Sequence, residues 1–357
     1  MTDYNIAVLP GDGIGHEVTE AAQHVMEAVA GCTGLHVRTA QHQAGAFHYQ
    51  ATGHAISPET LGAIGQADAI LFGAAGWPDI RQADGTEIAP QIDMREHFGL
   101  FAGLRPVRLW NGVRRVLAQA EVDLVIVRES TEGLFAGRHD PAGNDKDTAT
   151  DRLTITRAGC ERLFALTFSL ARKRKAAGGR GHVTLFDKAN VLRSMALMRR
   201  VFDEVAERHP DIGTDRVYID AGCMQLVTDP GRFDVIVNEN QFGDITSEIA
   251  AGISGGLGLA PSADLGMTHG VFQPSHGTAP DIAGQGVANP VAAILSVAML
   301  FDWLADQKGD ARCRTAAAAI HAAVGTVLAS GPRTRDLGGQ AGTGEVTKAI
   351  ISALPDP

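Results

Sequence analysis

The chain has 357 residues, 45% of them hydrophobic and 20% charged, which is typical of a globular protein with two domains. Its formal net charge of -10 disfavours nucleic acid as a partner, because a polyanion is bound by an excess of Lys and Arg. We expect no membrane span and no signal peptide, since no apolar run is long enough and charged residues follow the first one. The four cysteines lie far apart, which predicts reduced thiols and a cytoplasmic location.

Short apolar runs alternate with amphipathic stretches along the chain, and this alternation predicts an α/β fold. Buried strands are predicted at 6–9, 69–72, 122–127, 182–186, 217–219 and 234–237. Helices are predicted at 17–30, 157–175, 193–208, 241–252, 291–304, 311–328 and 344–354. The polar segment 133–152 breaks the pattern, and such a long irregular insertion is usually functional or an interaction arm.

The glycine-rich stretch 11–15 follows the first predicted strand and precedes the first helix, which is the place of a dinucleotide-binding turn. The dinucleotide fingerprint needs a further glycine three residues after Gly13, where this chain has His16. We therefore interpret the stretch as a tight turn and not as a Rossmann fingerprint.

Four predicted strands end in polar residues. These endings are Arg128-Glu129, Asp187-Lys188 with Asn190, Asp220, and Asn238-Glu239. Ligands of open α/β sheets bind beyond the carboxyl ends of the strands, so the endings lie where a site would form. One polar ending is ordinary loop chemistry, but four in succession, with a guanidinium, an amine and carboxylates among them, favour one shared site.

Two arginines and two carboxylates extend this hypothesis. The guanidinium groups of Arg95 and Arg105 could each bind a carboxylate through two parallel hydrogen bonds; alternatively, they are solvated and their stems cover the core. Asp244 and Glu248 lie four residues apart at the start of a predicted helix and therefore face the same side. Their oxygens suit Mg²⁺ or Mn²⁺, or alternatively they form a solvated acidic first turn.

A set of motifs occurs in order along the chain. They are 9–15 (LPGDGIG), 104–106 (LRP), 127–129 (VRE), 187–191 (DKANV), 242–245 (FGDI), 276–284 (HGTAPDIAG) and 288–290 (ANP). From about residue 5 to about residue 350, the sequence resembles the β-decarboxylating dehydrogenases, which include isopropylmalate, isocitrate, homoisocitrate, tartrate and D-malate dehydrogenases. The ordered set is far more specific than any one of its motifs.

The resemblance implies an α/β, two-domain isopropylmalate dehydrogenase-like fold, which is not a Rossmann fold. Residues 1–99 and 252–357 would form a cofactor-binding domain that holds both termini. Residues 100–251 would form the substrate and dimerisation domain, with an arm at about 133–152 that clasps a second subunit. The active site would be shared across a homodimer, so that Lys188 and Asp220 of one chain complete the site of the other.

The resemblance also assigns roles to individual residues. The catalytic residues would be Lys188, which takes up the proton of the substrate hydroxyl, and Asp220. The substrate would be bound by Arg95, Arg105, Arg128, Gln91, Ile92, Asn190 and Val191. Mg²⁺ or Mn²⁺ would be bound by Asp220, Asp244 and Glu248. The cofactor would be bound by His276, Gly277, Thr278, Ala279, Asp281, Ile282 and Asn289.

The pair Asp281-Ile282 favours NAD as the cofactor. A carboxylate accepts hydrogen bonds from the ribose hydroxyls of NAD but repels the 2′-phosphate of NADP. Members of the family that use NADP typically carry Lys and Tyr at these two positions.

The chain departs from the family at two functional positions. Phe135 replaces the tyrosine that protonates the enolate after decarboxylation, so this step must use water, use another residue such as His139, or run slowly. The same replacement is found in regulatory, non-catalytic subunits of some relatives. Glu248 stands where an aspartate is usual, and its longer side chain is a tolerable change in a metal ligand.

The sequence predicts an NAD-dependent oxidative decarboxylation of a 3-substituted malate, with 3-isopropylmalate first. Isocitrate enzymes of the family place a serine in the helix before Arg95, where this chain has Gln91 and Ile92, so isocitrate is disfavoured. Ile92 suits an apolar substituent and Gln91 a polar one, and the pair fits neither the isopropylmalate nor the isocitrate pattern. An alternative is tartrate or D-malate oxidation, because the runs 73–79 and 105–109 resemble that branch. An alternative of another class is a non-catalytic regulatory subunit.

Overall fold

A computed structural model of the chain describes residues 3–114, 121–137 and 147–356. The strands are β1 (Asp3–Gly11), β2 (His36–Gln41), β3 (Ala69–Ala74), β4 (Ala102–Arg108), β5 (Asp123–Glu129), β6 (His182–Asp187), β7 (Gly213–Tyr218), β8 (Val235–Asn238), β9 (Pro261–Leu265) and β10 (Gly270–Pro274). The α-helices are α1 (Gly15–Thr33), α2 (Ala46–Thr52), α3 (Pro58–Ile64), α4 (Pro90–Phe98), α5 (Arg157–Ala176), α6 (Arg193–Ala206), α7 (Ile219–Thr228), α8 (Asn240–Ser254), α9 (Val291–Lys308), α10 (Ala311–Ser330) and α11 (Thr343–Ser352). Among the helices described, none combines the length and apolarity needed to cross a bilayer.

The chain divides into two compact units. The first unit comprises Met1–Gly99, Leu109–Val116 and Ser254–Pro357, and the second comprises Leu100–Arg108 and Leu117–Ile253. The first unit is therefore assembled from both ends of the chain.

The strands of the first unit have the order β2-β1-β3-β10-β9, in which only β9 runs antiparallel to its neighbour β10. Helix α9 is apolar on nearly every face, which is typical of a helix at the centre of a core. It packs against β9 and β10 on one side and contacts α1 and α10. The core of the first unit is thus built around a helix from the last quarter of the chain.

The glycine-rich stretch 11–15 forms the predicted tight turn between β1 and α1. Gly13 has φ +57, and a Cβ there would lie 2.2 Å from the carbonyl oxygen of Thr278, so glycine is required. The backbone N–H of Ile14 donates to the same Thr278 oxygen at 2.9 Å. The turn is therefore closely packed against the segment that contains Thr278.

The strands of the second unit have the order β4-β5-β8-β6-β7. Strands β5, β8, β6 and β7 are parallel, whereas β4 pairs antiparallel with β5. The core beside them contains Phe164, Phe168 and Phe202 from α5 and α6, and the rings of Phe164 and Phe202 meet edge to face at 5.2 Å. The strand predicted at 217–219 is wrong at its end, because β7 stops at Tyr218 and Ile219 already begins α7.

A buried ion pair joins the end of β6 to α6. The side chain of Asp187 is fully buried, and Arg199 donates to its two oxygens from Nε and Nη2, both at 2.7 Å. The backbone N–H of Ala189 also donates to Asp187, at 2.9 Å. Arg199 lies over the ring of Tyr218, 4.9 Å from its centroid. Because the Arg199 guanidinium binds both oxygens of the buried Asp187 carboxylate, the end of β6 is held in place, and so is the start of the segment 188–192 that follows it.

We predict that Arg199→Ala lowers the free energy of unfolding by about 3–5 kcal/mol, since it leaves the Asp187 carboxylate buried without its cation. Arg200→Ala is the matched control, because Arg200 is exposed on the same helix, and it should cost less than about 0.5 kcal/mol. Urea unfolding followed by circular dichroism measures both. Equal stability of the two variants would contradict the structural role of the pair.

Candidate functional site

Several predicted site residues lie at one edge of the second unit. Strands β5, β8, β6 and β7 are parallel, so their carboxyl ends point the same way. Arg128 on β5 pairs in register with Asn238 on β8, and Asp187 on β6 pairs with Tyr218 on β7. The polar endings of these strands therefore lie at the same edge of the sheet, and their use as one shared site stays a prediction.

Arg128 is a buried cation held by the first turns of α8. Its side chain is about 4% exposed, and Nε and Nη2 donate to Oδ1 of Asn240 at 3.0 and 2.8 Å. Nη1 donates to a carboxylate oxygen of Asp244. The ring centroid of Phe135 lies 5.3 Å from the guanidinium carbon. The guanidinium is thus fixed in orientation by an amide, a carboxylate and an aromatic ring.

Asp244 and Glu248 occupy successive turns of α8 and influence each other. Burial raises the pKa of Glu248, and the negative charge of Asp244 raises it further, while Arg105 and Arg128 act in the opposite direction. These charges act on Glu248 because the carboxylate of Asp244 and the guanidinium groups of Arg105 and Arg128 lie near it. Two carboxylates that repel each other in this way are suited to a dication.

Within the described part of one chain, no three His, Cys, Asp or Glu side chains converge as a metal site. Asp220 does not join Asp244 and Glu248 there. It accepts a hydrogen bond from Nζ of Lys188 at 2.7 Å, and this bond lowers the pKa of the Asp220 carboxyl. The side chain of Asp220 is 70% exposed. The Lys188–Asp220 pair therefore forms within one chain and faces away from that chain's own interior.

The turn after Lys188 presents the other two predicted substrate residues of the second unit. The backbone N–H groups of Val191 and Leu192 both donate to the carbonyl oxygen of Lys188, at 3.0 and 2.9 Å. Asn190 is exposed, and Val191 is 67% exposed although it is apolar. The geometry presents both side chains on the surface of the second unit.

Arg95, Gln91 and Ile92 lie on α4 in the first unit. Arg95 is 5% exposed and is ion-paired with Asp264 on β9, with Nε and Nη2 each 3.0 Å from the same oxygen. Gln273 donates to that oxygen at 3.2 Å. The Oε1 atom of Gln91 is buried and has no hydrogen-bond partner among the described residues, whereas Ile92 is half-buried. Gln91 can therefore accept a hydrogen bond from a ligand.

A cavity of about 190 Å³ lies in the first unit. It is lined by Ile14, Gly258, His276, Ile282, Val287, Ala288, Asn289, Arg335 and Asp336. Three predicted cofactor residues are among them, while Gly277, Thr278, Ala279 and Asp281 belong to the same loop without lining the cavity. The cavity is smaller than the roughly 300–1,000 Å³ of most ligand pockets, so it would hold only part of a dinucleotide.

His276 gives this cavity a definite hydrogen-bonding preference. Its Nδ1 lies 2.9 Å from the carbonyl oxygen of Gly277, which can only accept, so Nδ1 carries the proton. Burial lowers the pKa of the imidazole and keeps it neutral. Nε2 is therefore an acceptor, and it is buried with no partner among the described residues. A ligand that offers an amino or hydroxyl hydrogen, as adenosine does, fits this atom.

Asn289 has its amide fixed by neighbours on both sides. Its Nδ2 donates to Asp336 at 2.9 Å, and its Oδ1 accepts from the backbone N–H of Val291 at 3.1 Å. A Cβ at Gly258 would lie 2.6 Å from the Asp336 carboxylate and 2.9 Å from Asn289 Nδ2. A side chain at position 258 would clash with Asp336 and Asn289, so glycine there allows both residues to keep their places in the cavity wall.

Several residues of these arrangements were not predicted from the sequence, among them Asn240, Asp264, Ile14, Arg335 and Asp336. The segment 261–265 is fully buried although it contains Ser262 and Asp264, and no apolar run marks it in the sequence. Arg335 and Asp336 gave no signal either, since they lie in a polar loop far along the chain from the cofactor motif.

Comparison with known proteins identifies the family. Residues 5–350 match the model of the isocitrate/isopropylmalate dehydrogenase family. The chain is 42% identical to the 3-isopropylmalate/3-methylmalate dehydrogenase of Methanocaldococcus jannaschii, over 98% of this chain and 99% of that protein.

Two solved structures are similar over nearly the whole chain. The crystal structure of isocitrate dehydrogenase from Methylococcus capsulatus has a TM-score of 0.85 and 34% identity, and covers 98% of this chain and 99% of its own. The apo crystal structure of a beta-decarboxylating dehydrogenase from Thermococcus kodakarensis has a TM-score of 0.80 and 37% identity, with coverage of 98% and 96%.

These matches confirm the predicted fold class and the resemblance read from the motifs. The chain belongs to the isocitrate/isopropylmalate dehydrogenase family, whose members are decarboxylating dehydrogenases.

Proposed function

We propose that this protein is an NAD-dependent dehydrogenase that oxidises and decarboxylates a 3-substituted malate, 3-isopropylmalate first. The observation that carries the proposal is the buried Arg128 guanidinium beside the Asp244–Glu248 carboxylates, at the strand edge of the second unit. The name of the Methanocaldococcus relative supports a malate with an apolar 3-substituent.

The donor set of the second unit fits a divalent metal ion. Asp244 and Glu248 of one chain, with Asp220 of a second copy, would hold Mg²⁺ or Mn²⁺. The two carboxylates on α8 are hard oxygen donors, and the effect of one charge on the pKa of the other supports a dication between them. When bound, the ion would polarise the substrate's 2-hydroxyl and then its carbonyl oxygen.

The arginines would bind and orient the substrate carboxylates. Arg128 and Arg105 lie near the α8 carboxylates, and both are nearly fully buried, which strengthens their hydrogen bonds to an anion. Arg95 of the first unit would bind a carboxylate as well, with Asp264 holding its Nε side. When bound, NAD would supply the acceptor for the hydride that leaves C2 of the substrate.

Lys188 would take up the proton of the 2-hydroxyl, directly or through water. Its amine is 2.7 Å from Asp220 and 6.0 Å from the ring centroid of Tyr218, so its position is restricted before a substrate arrives. The exposure of this pair supports its use by a second copy of the chain. Exposed apolar residues in the same unit support a homodimer in the same way: Val191, Leu192, Met224, Val227 and Ile245.

The cavity around His276 supports a cofactor with an adenosine half. The bare Nε2 acceptor and the fixed amide of Asn289 would meet adenine or ribose donors. Asp281 is exposed beside half-buried Ile282, where its carboxylate would accept from ribose hydroxyls and repel a 2′-phosphate. NAD is therefore proposed over NADP.

Specific residues support two alternatives to this function. The buried Oε1 of Gln91, which has no hydrogen-bond partner in the described part of the chain, favours a polar substituent and so supports tartrate or D-malate as the second candidate substrate class. Phe135 cannot donate a proton to the enolate, which supports a non-catalytic subunit as the candidate of another class. His139, the alternative acid, and residues 138–146 of the proposed arm lie outside the described residues.

The first prediction is a substrate screen. With Mn²⁺ present, NADH should form with 3-isopropylmalate, and less with D-malate, tartrates, isocitrate and homoisocitrate; a chelator should abolish the reaction. Absorbance at the NADH band measures it. Activity that survives complete metal removal would contradict the metal site, and no turnover of any of these acids would favour the regulatory alternative.

The second prediction concerns Lys188→Ala. It should lower kcat by at least about 10²-fold, because general acid–base catalysis typically contributes that much, while NAD binding stays unchanged. Lys348→Ala is the control, since Lys348 is an exposed lysine on α11, and it should keep wild-type activity. Steady-state kinetics and NADH fluorescence titration give the two readouts, and substantial turnover by Lys188→Ala would remove the residue from its proposed role.

The third prediction concerns Phe135→Tyr. The new phenol would lie near the Arg128 guanidinium, which favours release of a proton from it, so formation of the protonated 2-keto acid product should become faster if enolate protonation limits the wild-type protein. Single-turnover measurement of keto acid formation against CO₂ release and NADH formation checks this. An unchanged or lower rate would mean that another acid already supplies the proton.

A further inference from the structure

Asn240 is a completely buried amide at the start of α8, and all the hydrogen bonds described for its side chain fix its orientation. Its Oδ1 accepts from Nε and Nη2 of Arg128 at 3.0 and 2.8 Å. Its Nδ2 donates to the backbone oxygen of Glu132 at 2.9 Å. Because a guanidinium offers only donors and a carbonyl only acceptors, the amide cannot be reversed without losing these three bonds.

The approach of α8 to β5 depends on the glycine three residues further on. A Cβ at Gly243 would lie 2.7 Å from both Cβ and Cγ of Arg128. Asn240 and Asp244 are four residues apart and share one face of the helix, so both reach the guanidinium. The first turns of α8 thus surround the Arg128 side chain with the amide of Asn240, the bare backbone of Gly243 and the carboxylate of Asp244.

The other end of the Asn240 amide leads to the turn that carries Phe135. Glu132 precedes the short 3₁₀ helix Phe135–Gly137, and the Phe135 ring lies 5.3 Å from the Arg128 guanidinium carbon. The backbone N–H of Gly133 pairs with the carbonyl of Thr154 at 2.8 Å, which ties the turn down on its other side. Asn240 is therefore the side chain that connects the cation to this turn.

A neutral amide at this position has an electrostatic advantage. Its oxygen satisfies the Nε and Nη2 donors and carries no charge, so Asn240 adds no second negative charge beside the Asp244 carboxylate that already pairs with Arg128. An aspartate of the same shape would add that charge and repel a substrate carboxylate. The residue type therefore fits a cation that is held firmly and also binds an anion.

We propose that Asn240 is a positioning residue: it sets the orientation of the Arg128 guanidinium toward the substrate carboxylate and couples it to the turn that carries Phe135. The inference rests on the proposed function, in which Arg128 binds the 3-substituted malate. Asn240 itself touches neither substrate nor cofactor in this assignment.

The test compares Asn240→Ala and Asn240→Asp with the wild-type protein, using 3-isopropylmalate, NAD and Mn²⁺. In Asn240→Ala the KM for 3-isopropylmalate should rise roughly tenfold to a hundredfold, the effect of losing hydrogen bonds to a charged group. The KM for NAD should change less than about twofold, because a positioning residue for Arg128 does not affect the first unit. Asn240→Asp should raise the KM for 3-isopropylmalate as well, since its charge competes with the substrate carboxylate.

Gln241→Ala is the matched control, because it removes a similar amide from the same turn of α8 and should leave both KM values unchanged. A wild-type KM for 3-isopropylmalate in both Asn240 variants would overturn the inference, and so would an equal rise in the KM for NAD. If Asn240→Ala fails to fold by circular dichroism, the isosteric Asn240→Asp decides alone. A wild-type protein without turnover of any 3-substituted malate would instead sink the proposed function, and this inference with it.

Discussion

The site depends on holding the Arg128 guanidinium away from water in one fixed orientation. A buried charge is strongly destabilising unless hydrogen-bonded partners compensate for the lost hydration. Arg128 has such partners in an amide, a carboxylate and an aromatic ring, all close to the start of α8 or the turn after β5. The bare backbone of Gly243 allows that helix to come close to that strand.

The buried cation of the first unit is compensated in a related way. Arg95 is ion-paired with the buried carboxylate of Asp264, and Gln273 donates to the same carboxylate. The cavity of this unit presents a neutral imidazole acceptor and an amide fixed by hydrogen bonds, beside Arg335 and Asp336. These groups suit the amino and hydroxyl donors of a nucleoside.

Many of the strands could be predicted because they appear in the sequence as short apolar runs. The runs that became β1, β3, β5, β6 and β8 are almost entirely buried, so apolar content alone revealed them. Strand β2 was missed because it is an edge strand with nearly every side chain in solvent, which leaves no alternation to detect. Strand β4 contains Gly103 and Pro106, which argue against a strand, and β9 carries a buried aspartate.

Apolar runs also indicated part of the candidate site. Polar residues at the ends of predicted strands mark a sheet edge, and this pattern pointed to Arg128, Lys188 and Asp220. The partners that orient them could not, since Asn240 resembles any helix N-terminal residue until its amide is seen against the guanidinium.

The interleaved order of the units has a consequence for how the polypeptide acquires its structure during synthesis. Strand β3 pairs with β10, about two hundred residues later, and the central helix α9 follows later still. The nearly continuous second unit can fold as soon as it leaves the ribosome, while the apolar β1 and β3 must wait for the C-terminal segment. The nascent first unit thus exposes strand edges for the longest time, and it is there that chaperone binding and aggregation of the unfinished chain should concentrate.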